Sequence, residues 1–402
     1  MEVRGKDMKM DHQKESGKYL MSTYARLPVA FVEGAGMRLW DSEGLEYLDF
    51  LAGIAVANLG HAHQEVAQAI CDQAFTLVHT SNLYQIEPQI ELARRLCGMS
   101  FADKAFFCNS GAEANEGAMK LARRWGHDYK NGASEIIAME GSFHGRTLFT
   151  LSATGQPKFH KGFEPLVPGV TIVSYNDLDE VEKAISEKTA AVIVEPLQGE
   201  GGVIVPEKGY LKGLREICDR HEVLLIFDEV QTGMGRTGEM FAYQGEGVAP
   251  DIMTLAKALG NGVPIGAVLA KDKAARAFVP GTHAATFGGN FLSCKAATAV
   301  LDVFEKKDLL AHVKETGRYF RQKLEELQAR HKCIKEVRGK GLLLGMELIV
   351  PGKEVVDRCM EEGMIINCTA EKVLRFAPPL IVTTEDIDKL IAVLDEALQA
   401  LG

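Results

Sequence analysis

Five consecutive apolar residues, Val223 to Phe227, end directly in two carboxylates, Asp228 and Glu229. The run is too short for a stable helix and is rich in branched and aromatic side chains, so it predicts a strand buried on both faces. Ligands of open α/β sheets bind outside the carboxyl ends of parallel strands, so a carboxylate at this position is directed at a ligand. A second short strand at 251–255 leads to Lys257. We expect this acid and this amine to face one bound molecule.

Two interpretations compete for the loop between these strands. Gly233 to Gly238 has the G-x-G-x-x-G spacing of a dinucleotide-binding turn, which would make the chain a nicotinamide or flavin oxidoreductase. That motif needs an amphipathic helix directly after the glycines, and Gly245 and Pro250 interrupt this segment too soon. The alternative uses Lys257 as an imine-forming amine and Asp228 as the partner of a pyridinium nitrogen, the pair found in pyridoxal 5'-phosphate enzymes. This second interpretation accounts for both Lys257 and Asp228.

A phosphate site is a further candidate, in the turn between another strand and the helix that follows it. Residues 105–108 form a short apolar strand, and Ser110, Gly111 and Ala112 turn directly into a helix with apolar residues at helical spacing. The first N–H groups of a helix are unpaired, and the helix dipole favours an anion there by about 0.3–1 kcal/mol. A serine-capped helix without any ligand is the alternative, and these residues taken alone favour it.

Strands and helices alternate from about residue 100 to 270, which is the pattern of a mostly parallel, doubly wound α/β sheet. After about residue 290, long helices and short strands predict a smaller α+β domain. We expect a segment at 1–60 that contributes to the small domain, a large cofactor-binding domain at 61–305 and a small domain at 306–402. The loops that follow the strands should gather on one rim of the sheet and form an active site from the residues that they carry: Ser110, Phe143, Arg146, Glu200, Asp228 and Lys257.

Composition excludes several classes of function. The net charge of −10 argues against nucleic acid or an anionic membrane as partner, and no apolar run is long enough to span a bilayer.

The eight cysteines contain no C-x-x-C pair, which indicates a reducing, cytoplasmic location without disulfides. His61 and His63 lack a third ligand, so no metal site is expected. Met1–Ser16 lacks the apolar segment of a signal peptide and predicts a frayed extension.

Short motifs occur in a fixed order over nearly the whole chain after about Tyr19. They are Leu39-Trp40-Asp41, Gly60-His61-Ala62-His63, Asn109-Ser110-Gly111-Ala112-Glu113-Ala114-Asn115-Glu116, Phe143-His144-Gly145-Arg146-Thr147, Leu151-Ser152-Ala153-Thr154-Gly155-Gln156, Glu195-Pro196, Asp228-Glu229-Val230-Gln231-Thr232-Gly233, Ala256-Lys257-Ala258-Leu259 and Arg375-Phe376-Ala377-Pro378-Pro379. Together they resemble the subgroup III aminotransferases of the fold-type I pyridoxal-phosphate superfamily. Gln64 and Phe291 stand where that family usually has proline, and neither position supplies a catalytic group.

The resemblance implies pyridoxal 5'-phosphate as the cofactor. Lys257 would form an imine with it and, once released, would move a proton between substrate and cofactor carbons. Asp228 would keep the pyridine nitrogen protonated. The other implied contacts are ring stacking by Phe143, a contact of Gln231 with the phenolate oxygen, and phosphate binding by Ser110, Gly111 and Ala112. A core phenylalanine and a solvated loop glutamine remain the alternatives for Phe143 and Gln231.

The resemblance also implies a shared active site. Thr286 is similar to the threonine that members of the family donate to the phosphate of the partner subunit. The chain would then be an obligate homodimer, and an isolated monomer would lack a complete site.

Substrate binding is implied at four further residues. Arg146 would bind a carboxylate bidentately, and Arg375 would be a second carboxylate-binding arginine. Glu200 would mask Arg375 while a terminal amine reacts and release it for 2-oxoglutarate, with a static ion pair as the alternative. Tyr24 would line the entrance, with simple packing of the N-terminal segment as the alternative.

The expected reaction moves the terminal amine of N-acetylornithine to 2-oxoglutarate, giving N-acetylglutamate 5-semialdehyde and glutamate in arginine biosynthesis. Ornithine, succinylornithine, N-succinyldiaminopimelate and 4-aminobutyrate remain as alternative amine donors. A regulatory protein that binds the cofactor without catalysis is the alternative from a different class. An intact Lys257 and Asp228 with paired arginines weigh against it, since such a protein needs no amine placed for proton transfer.

Overall fold

The computed structural model describes residues 11–401. Most of the predicted extension, Met1–Ser16, therefore lies outside the described residues. Its remaining part is not frayed as expected, because His12–Tyr19 form helix α1. The Asp11 carboxylate caps this helix by accepting the backbone N–H of Lys14 at 3.0 Å.

Fifteen strands and thirteen further α-helices follow α1 in the described chain. The strands are β1 (Phe31–Ala35), β2 (Arg38–Asp41), β3 (Glu46–Asp49), β4 (Lys104–Cys108), β5 (Glu135–Met139), β6 (Val170–Val173), β7 (Thr189–Val194), β8 (Leu224–Asp228), β9 (Ile252–Leu255), β10 (Gly266–Ala270), β11 (Ile334–Lys340), β12 (Leu343–Leu348), β13 (Met364–Ile365), β14 (Asn367–Thr369) and β15 (Val373–Phe376). The helices after α1 are α2 (Ala52–Ala55), α3 (Gln64–Thr76), α4 (Glu87–Gly98), α5 (Gly111–Tyr129), α6 (Leu148–Ala153), α7 (Leu178–Ala184), α8 (Tyr210–Arg220), α9 (Ala242–Glu246), α10 (Asp272–Ala275), α11 (Phe291–Lys306), α12 (Leu309–Arg330), α13 (Lys353–Glu361) and α14 (Thr384–Gln399).

The largest sheet has seven strands in the order β4-β10-β9-β8-β7-β5-β6. Its strands from β9 to β6 run parallel, whereas β10 is antiparallel to both of its neighbours. This confirms the predicted mostly parallel α/β class. Strand β10 was not predicted. It reverses direction because only the loop 256–265 joins it to β9, and a parallel connection needs a longer crossover.

The two central strands explain why this sheet is stable. Every residue of β7 and β8 is buried, as their continuous apolar runs predict. Because side chains alternate along a strand, Leu225 and Phe227 join one core with Leu214 of α8. Leu224 and Ile226 point to the opposite face and join a second core that includes residues of α5. Helices therefore cover both faces, and only the strand ends remain for a ligand.

Two four-stranded sheets lie beside the large one, in the orders β1-β2-β3-β13 and β11-β12-β15-β14. In the first, β13 pairs in parallel with β3, with Met364 opposite Leu48. Leu48 and Phe50 also share a hydrophobic core with C-terminal residues such as Phe376. This shared core supports an N-terminal contribution to the small domain. The domain boundaries themselves stay a prediction.

The short turn α2 has an unusual backbone. Its four residues have left-handed φ angles of 52°, 62°, 67° and 57°. Non-glycine residues in this region cost about 1–2 kcal/mol each, so the surroundings must hold them there. The Asp49 carboxylate does so in part by accepting the backbone N–H groups of Leu51 and Ala52, each at 2.8 Å. The turn delivers Val56 to the cavity described below.

The sequence predicted no disulfide, no metal site and no membrane-spanning segment, and the structure can be compared with these expectations for the described residues. All eight cysteines are free. Within 11–401, no group of histidine, cysteine and acidic side chains is arranged to hold a metal ion. His61 instead contacts Asp49, with 2.7 Å between its Nε2 and the carboxylate Oδ2. None of the described helices is both long and apolar enough to cross a bilayer.

Candidate active site

A cavity of about 380 Å³ lies at the carboxyl ends of the central strands. Many of the residues singled out from the sequence line it together: Ser110, Gly111, Ala112, Phe143, Arg146, Glu200, Asp228, Gln231 and Lys257. Arg375 reaches the same place through its contacts with Glu200 and Gln231. The fold therefore gathers these side chains as the strand-end argument requires, whereas the role of each residue stays a prediction.

Asp228, the last residue of β8, is held by a buried network. Its Oδ2 accepts hydrogen bonds from Asn115 Nδ2 and from His144 Nδ1, both at 2.7 Å. Its Oδ1 accepts the backbone N–H of Val230 at 3.0 Å. Thr254 donates to Asn115 Oδ1 at 2.7 Å and so fixes the orientation of the amide. With only 3% of Asp228 exposed, this carboxylate is fixed before any ligand arrives.

Lys257 begins a short 3₁₀ turn directly after β9. Its φ of 46° lies in the left-handed region, which is a strained backbone conformation for a residue other than glycine. Burial lowers the pKa of the Lys257 amine, Glu200 raises it, and the charge of Arg375 lowers it further, with a net decrease. The amine is therefore neutral in a larger fraction of molecules than an exposed lysine would be.

The start of α5 forms the candidate phosphate site. Ser110 is the N-cap, and its Oγ accepts the backbone N–H of Glu113 at 3.2 Å. The Glu113 carboxylate in turn accepts the backbone N–H of Asn109 at 2.5 Å. A Cβ on Gly111 would lie 2.8 Å from Val230 Cγ1, so the turn has no room for a larger residue. Ser110, Gly111 and Ala112, at the start of a 19-residue helix, therefore line the cavity, and the first N–H groups of a helix have no partner within it.

Glu195 is a second buried carboxylate at the site, and it was not among the predicted site residues. It directly follows the last residue of β7, and Asp228 is the last residue of the neighbouring strand β8. The Glu195 Oε2 accepts the backbone N–H of Phe143 at 3.1 Å. Burial raises the pKa of the Glu195 carboxyl well above its ordinary value, and the neighbouring charge of Asp228 adds to the increase. Glu195 thereby fixes the loop that carries Phe143.

Glu200, Gln231 and Arg375 form the opposite wall. Arg375 Nη1 lies 2.5 Å from Glu200 Oε1 and 3.3 Å from Gln231 Oε1, and only 1% of Arg375 is exposed. Burial raises the pKa of Glu200, but Arg375 and Lys257 outweigh it, so the pKa is lowered. A Cβ on Gly199 would lie 1.9 Å from Gln231 Oε1, so the glutamine can occupy its place only beside a glycine. The guanidinium of Arg375 is thus neutralised by an acid that borders the cavity.

Arg146 has different surroundings. Its side chain is exposed, and among the described residues no carboxylate forms an ion pair with it. Its guanidinium carbon lies 3.9 Å from the ring centre of Phe159 and 5.6 Å from that of Phe143. The N–H donors at the edge of the guanidinium therefore remain available to an incoming anion.

Two predicted residues lie away from the cavity. Tyr24 is 74% exposed, and its ring contacts the guanidinium of Arg26 at 5.4 Å. Thr286 is exposed and lines a separate cavity together with Asn82 and Gln89. The single chain does not bring either residue to Lys257, so their roles stay predictions.

Sequence reasoning missed the side chains that hold Asp228. Asn115 and His144 stood within quoted motifs, and Thr254 stood on the predicted strand before Lys257. Their polar character on otherwise buried elements was the available signal, because buried polar groups require partners. Which partner each one finds depends on the packing of α5 against β8 and β9.

Comparisons with known proteins give the family. Residues 19–398 match the family described as aminotransferase class-III. The chain is a class-III aminotransferase. Similar proteins include the acetylornithine aminotransferase of Methanocaldococcus jannaschii, which is 54% identical over 94% of this chain and 96% of its own length. That of Aquifex aeolicus is 53% identical over 94% of this chain and 100% of its own length. These matches confirm the predicted family.

Solved structures of class-III aminotransferases share the fold. The ornithine aminotransferase of Toxoplasma gondii has a TM-score of 0.95 and 35% identity, covering 98% of this chain and 96% of its own. The acetylornithine aminotransferase of Elizabethkingia anophelis has a TM-score of 0.86 and 34% identity, covering 96% and 98%. Another structure of the Toxoplasma gondii enzyme has pyridoxal 5'-phosphate at partial occupancy in its active site.

Pyridoxal 5'-phosphate is the cofactor of this class-III aminotransferase, and the cavity fits it. The start of α5, where Gly111 leaves no room for a side chain, is suited to a phosphate. The fixed carboxylate of Asp228 is suited to a protonated ring nitrogen, and the lowered pKa of Lys257 is suited to an amine that reacts with a carbonyl carbon.

Proposed function

We propose that this class-III aminotransferase transfers the terminal amino group of N2-acetyl-L-ornithine to 2-oxoglutarate, giving N-acetyl-L-glutamate 5-semialdehyde and L-glutamate. The same step would belong to arginine biosynthesis. Curated relatives that are about half identical over nearly the whole chain carry the name acetylornithine aminotransferase. The observation that carries the proposal is the pairing of Glu200 with the buried Arg375 beside Lys257, while Arg146 has free donors.

Bound pyridoxal 5'-phosphate supplies an electron-accepting ring, which allows a proton to leave the carbon that carries the reacting amino group. Lys257 would take that proton at Nζ and deliver it to the acceptor carbon. Its lowered pKa suits this task, because a base must be neutral to accept a proton. Asp228 would hold the ring nitrogen in its protonated form, and the fixed geometry of its carboxylate requires no rearrangement during the reaction.

The two arginines would bind the two substrates in turn. In N-acetylornithine, the carbon that carries the reacting amine has no carboxylate. Without Glu200, the charge of Arg375 would therefore have no partner while this substrate is bound. Glu200 would neutralise Arg375 during this half of the cycle, and Arg146 would bind the distal carboxylate of N-acetylornithine. When 2-oxoglutarate enters, Glu200 would release Arg375 to the carboxylate next to the keto group. A static ion pair remains the alternative.

We further propose a homodimer in the cytoplasm. Segment 75–90 exposes large apolar side chains, among them Phe75 at 90% and Leu83 at 87%, and Phe287 beside Thr286 is 62% exposed. Asn82 donates to the backbone carbonyls of Ala285 and Gly288, so these two segments form one surface. Contiguous exposed apolar area of this kind is typical of an interface. The free cysteines fit a reducing compartment.

A mixing experiment tests whether the dimer shares its sites. Thr286→Ala and Lys257→Ala chains are each expected to be inactive or nearly so. If Thr286 acts on the partner's cofactor, a mixed dimer contains one site with both residues intact, and mixing should restore up to about half of the activity per mixed dimer. No recovery in mixed dimers isolated with two affinity tags would contradict sharing. A monomeric mass by light scattering would contradict the dimer.

Steady-state turnover tests the substrate. We expect kcat/KM for N-acetylornithine to exceed that for ornithine, succinylornithine and 4-aminobutyrate, with glutamate formed in equal amount to the aldehyde. Faster reaction with one of the other donors would assign that donor instead. Cofactor binding without turnover of any donor would support the non-enzymatic alternative.

A further inference from the structure

The exposed Arg146 is held by an aromatic ring that the proposed mechanism has not used. Its guanidinium carbon lies 3.9 Å from the centre of the Phe159 ring, compared with 5.6 Å for Phe143. The Phe159 ring also meets the Phe143 ring edge to face, with 6.0 Å between their centres. Phe159 therefore contacts both the candidate carboxylate-binding arginine and the candidate ring that stacks on the cofactor.

The position of Phe159 is fixed by the chain around it. It ends the 3₁₀ turn Pro157–Phe159, and its backbone N–H donates to Gln156 O at 3.0 Å. The Gln156 amide donates in turn to Ser142 O at 3.1 Å, next to Phe143. On the other side, His160 Nε2 lies 2.8 Å from Thr154 O and 3.0 Å from Leu151 O. The turn is therefore anchored to the loop that carries Phe143 and to α6.

Stacking and carboxylate recognition use different parts of a guanidinium. An aromatic ring contacts its flat face, whereas a carboxylate binds the N–H groups along its edge. Arg146 can therefore remain on Phe159 while it binds a carboxylate in the plane of the guanidinium. A long, exposed arginine otherwise loses rotamer freedom when a ligand binds, and holding it in place beforehand reduces that loss.

We propose that Phe159 is a positioning residue that orients Arg146 for the distal carboxylate of the amine donor, and so contributes to donor specificity. The inference rests on the proposed function, because it requires Arg146 to bind that carboxylate. Phe159 acts through Arg146 and takes no part in proton transfer. Its loss should therefore weaken binding of donors that carry the carboxylate and leave the rate at saturation nearly unchanged.

The test compares two donors that differ only in this group, N-acetylornithine and N-acetyl-1,4-diaminobutane, which lacks the carboxylate. Phe159→Leu should raise KM for N-acetylornithine about three- to tenfold with kcat within about twofold, the range of a cation–π contact near a surface. KM for N-acetyl-1,4-diaminobutane should not change. Phe159→Tyr keeps the ring face and should restore the native KM for N-acetylornithine.

The controls separate this inference from the proposed function. Arg146→Gln should raise KM for N-acetylornithine more than Phe159→Leu does, and by a larger factor than it raises KM for the donor without the carboxylate. If Arg146→Gln has no such effect, the proposed role of Arg146 fails. If Arg146→Gln has the effect and Phe159→Leu does not, only the inference about Phe159 is overturned. Equal losses for both donors in Phe159→Leu, or a fall in cofactor absorbance, would mean a merely structural role and would also overturn it.

Discussion

The two ends of the cavity are built in opposite ways. At the cofactor end, Asp228 is 3% exposed, and Asn115 and His144 each donate to it at 2.7 Å. At the substrate end, Arg146 is exposed and is held by the rings of Phe159 and Phe143. The cofactor end would bind the same group in every cycle, so rigidity is no disadvantage there. The substrate end would accept two molecules in turn. This requires arginine N–H groups that are free or that can be released from their partner.

Arg375 is intermediate between these ends. It is as buried as Asp228, but its charge is balanced by Glu200, which is partly exposed to the cavity. A buried charge without its partner is expensive, so Arg375 requires either Glu200 or a substrate carboxylate. This difference predicts that variants at the cofactor end abolish the reaction, whereas variants at the substrate end change which donor reacts.

The largest effect is expected for Lys257→Ala. Loss of the amine should lower kcat at least about 10³-fold, in line with removal of an acid–base group that acts at the reacting carbon. Stopped-flow absorbance and glutamate formation measure it. Lys212→Ala is the control, because that lysine is 74% exposed and forms a surface ion pair with Glu216. If Lys257→Ala kept a tenth of the native rate, the proposed role of Lys257 in proton transfer would be contradicted.

Asp228→Asn should come next, with kcat lower by about 10²–10³-fold, because the amide cannot keep a ring nitrogen protonated. Asn115→Ala should lower kcat less, since it removes one of several donors to the same carboxylate. Glu229→Gln is the matched control. It removes a carboxyl group one residue away that accepts hydrogen bonds from Ala242 and Tyr243 and faces away from the cavity. Equal losses in Asp228→Asn and Glu229→Gln would mean that Asp228 is only structural.

Glu200→Gln should change the choice of donor more than the rate. Without the negative charge, Arg375 would be open to a carboxylate, so the preference for N-acetylornithine over L-glutamate as amine donor should fall about tenfold. Single-turnover rates with each donor measure this ratio. An unchanged ratio together with a lower melting temperature would instead establish a static ion pair.

The smallest effect concerns pH and stability. Burial raises the pKa of Glu229 to about 7, above the 4.5 of an unfolded glutamate. The folded state therefore binds more protons between these values, and the contribution of Glu229 to stability falls by up to about 3 kcal/mol as pH rises from 4.5 to 7. Glu229→Gln should flatten the dependence of the unfolding midpoint on pH in this window. An unaltered slope would refute the raised pKa.

The sequence predicts much of the sheet because buried strands leave a direct signature. The apolar runs that end at Val194 and Phe227 predict buried strands, and the motifs around Ser110 and Lys257 identify loops that follow two other strands. What escaped prediction depends on contacts between distant segments. Strand β10 is a short run whose direction is set by the loop from β9.

The site shows the same limit. The side chains that bind Asp228 come from α5 and from the loop after β5, and Thr254 of β9 acts on it through Asn115. No local pattern connects these segments. The left-handed turn at Ala52–Ala55 also escaped prediction, since a β-branched residue such as Ile54 rarely adopts positive φ and must be held there by its surroundings. The contact of Phe159 with Arg146 depends on the fold of the segment between them.

The absorbance of the purified holoenzyme on addition of N-acetylornithine, without any keto acid, tests the central claim most directly. The account predicts that the visible band of the bound cofactor falls rapidly and returns when 2-oxoglutarate is added. Ornithine and 4-aminobutyrate, tested in parallel, should act more slowly. A band that responds only to another amine would contradict the proposed donor, and a band that responds to no amine would contradict catalysis at Lys257.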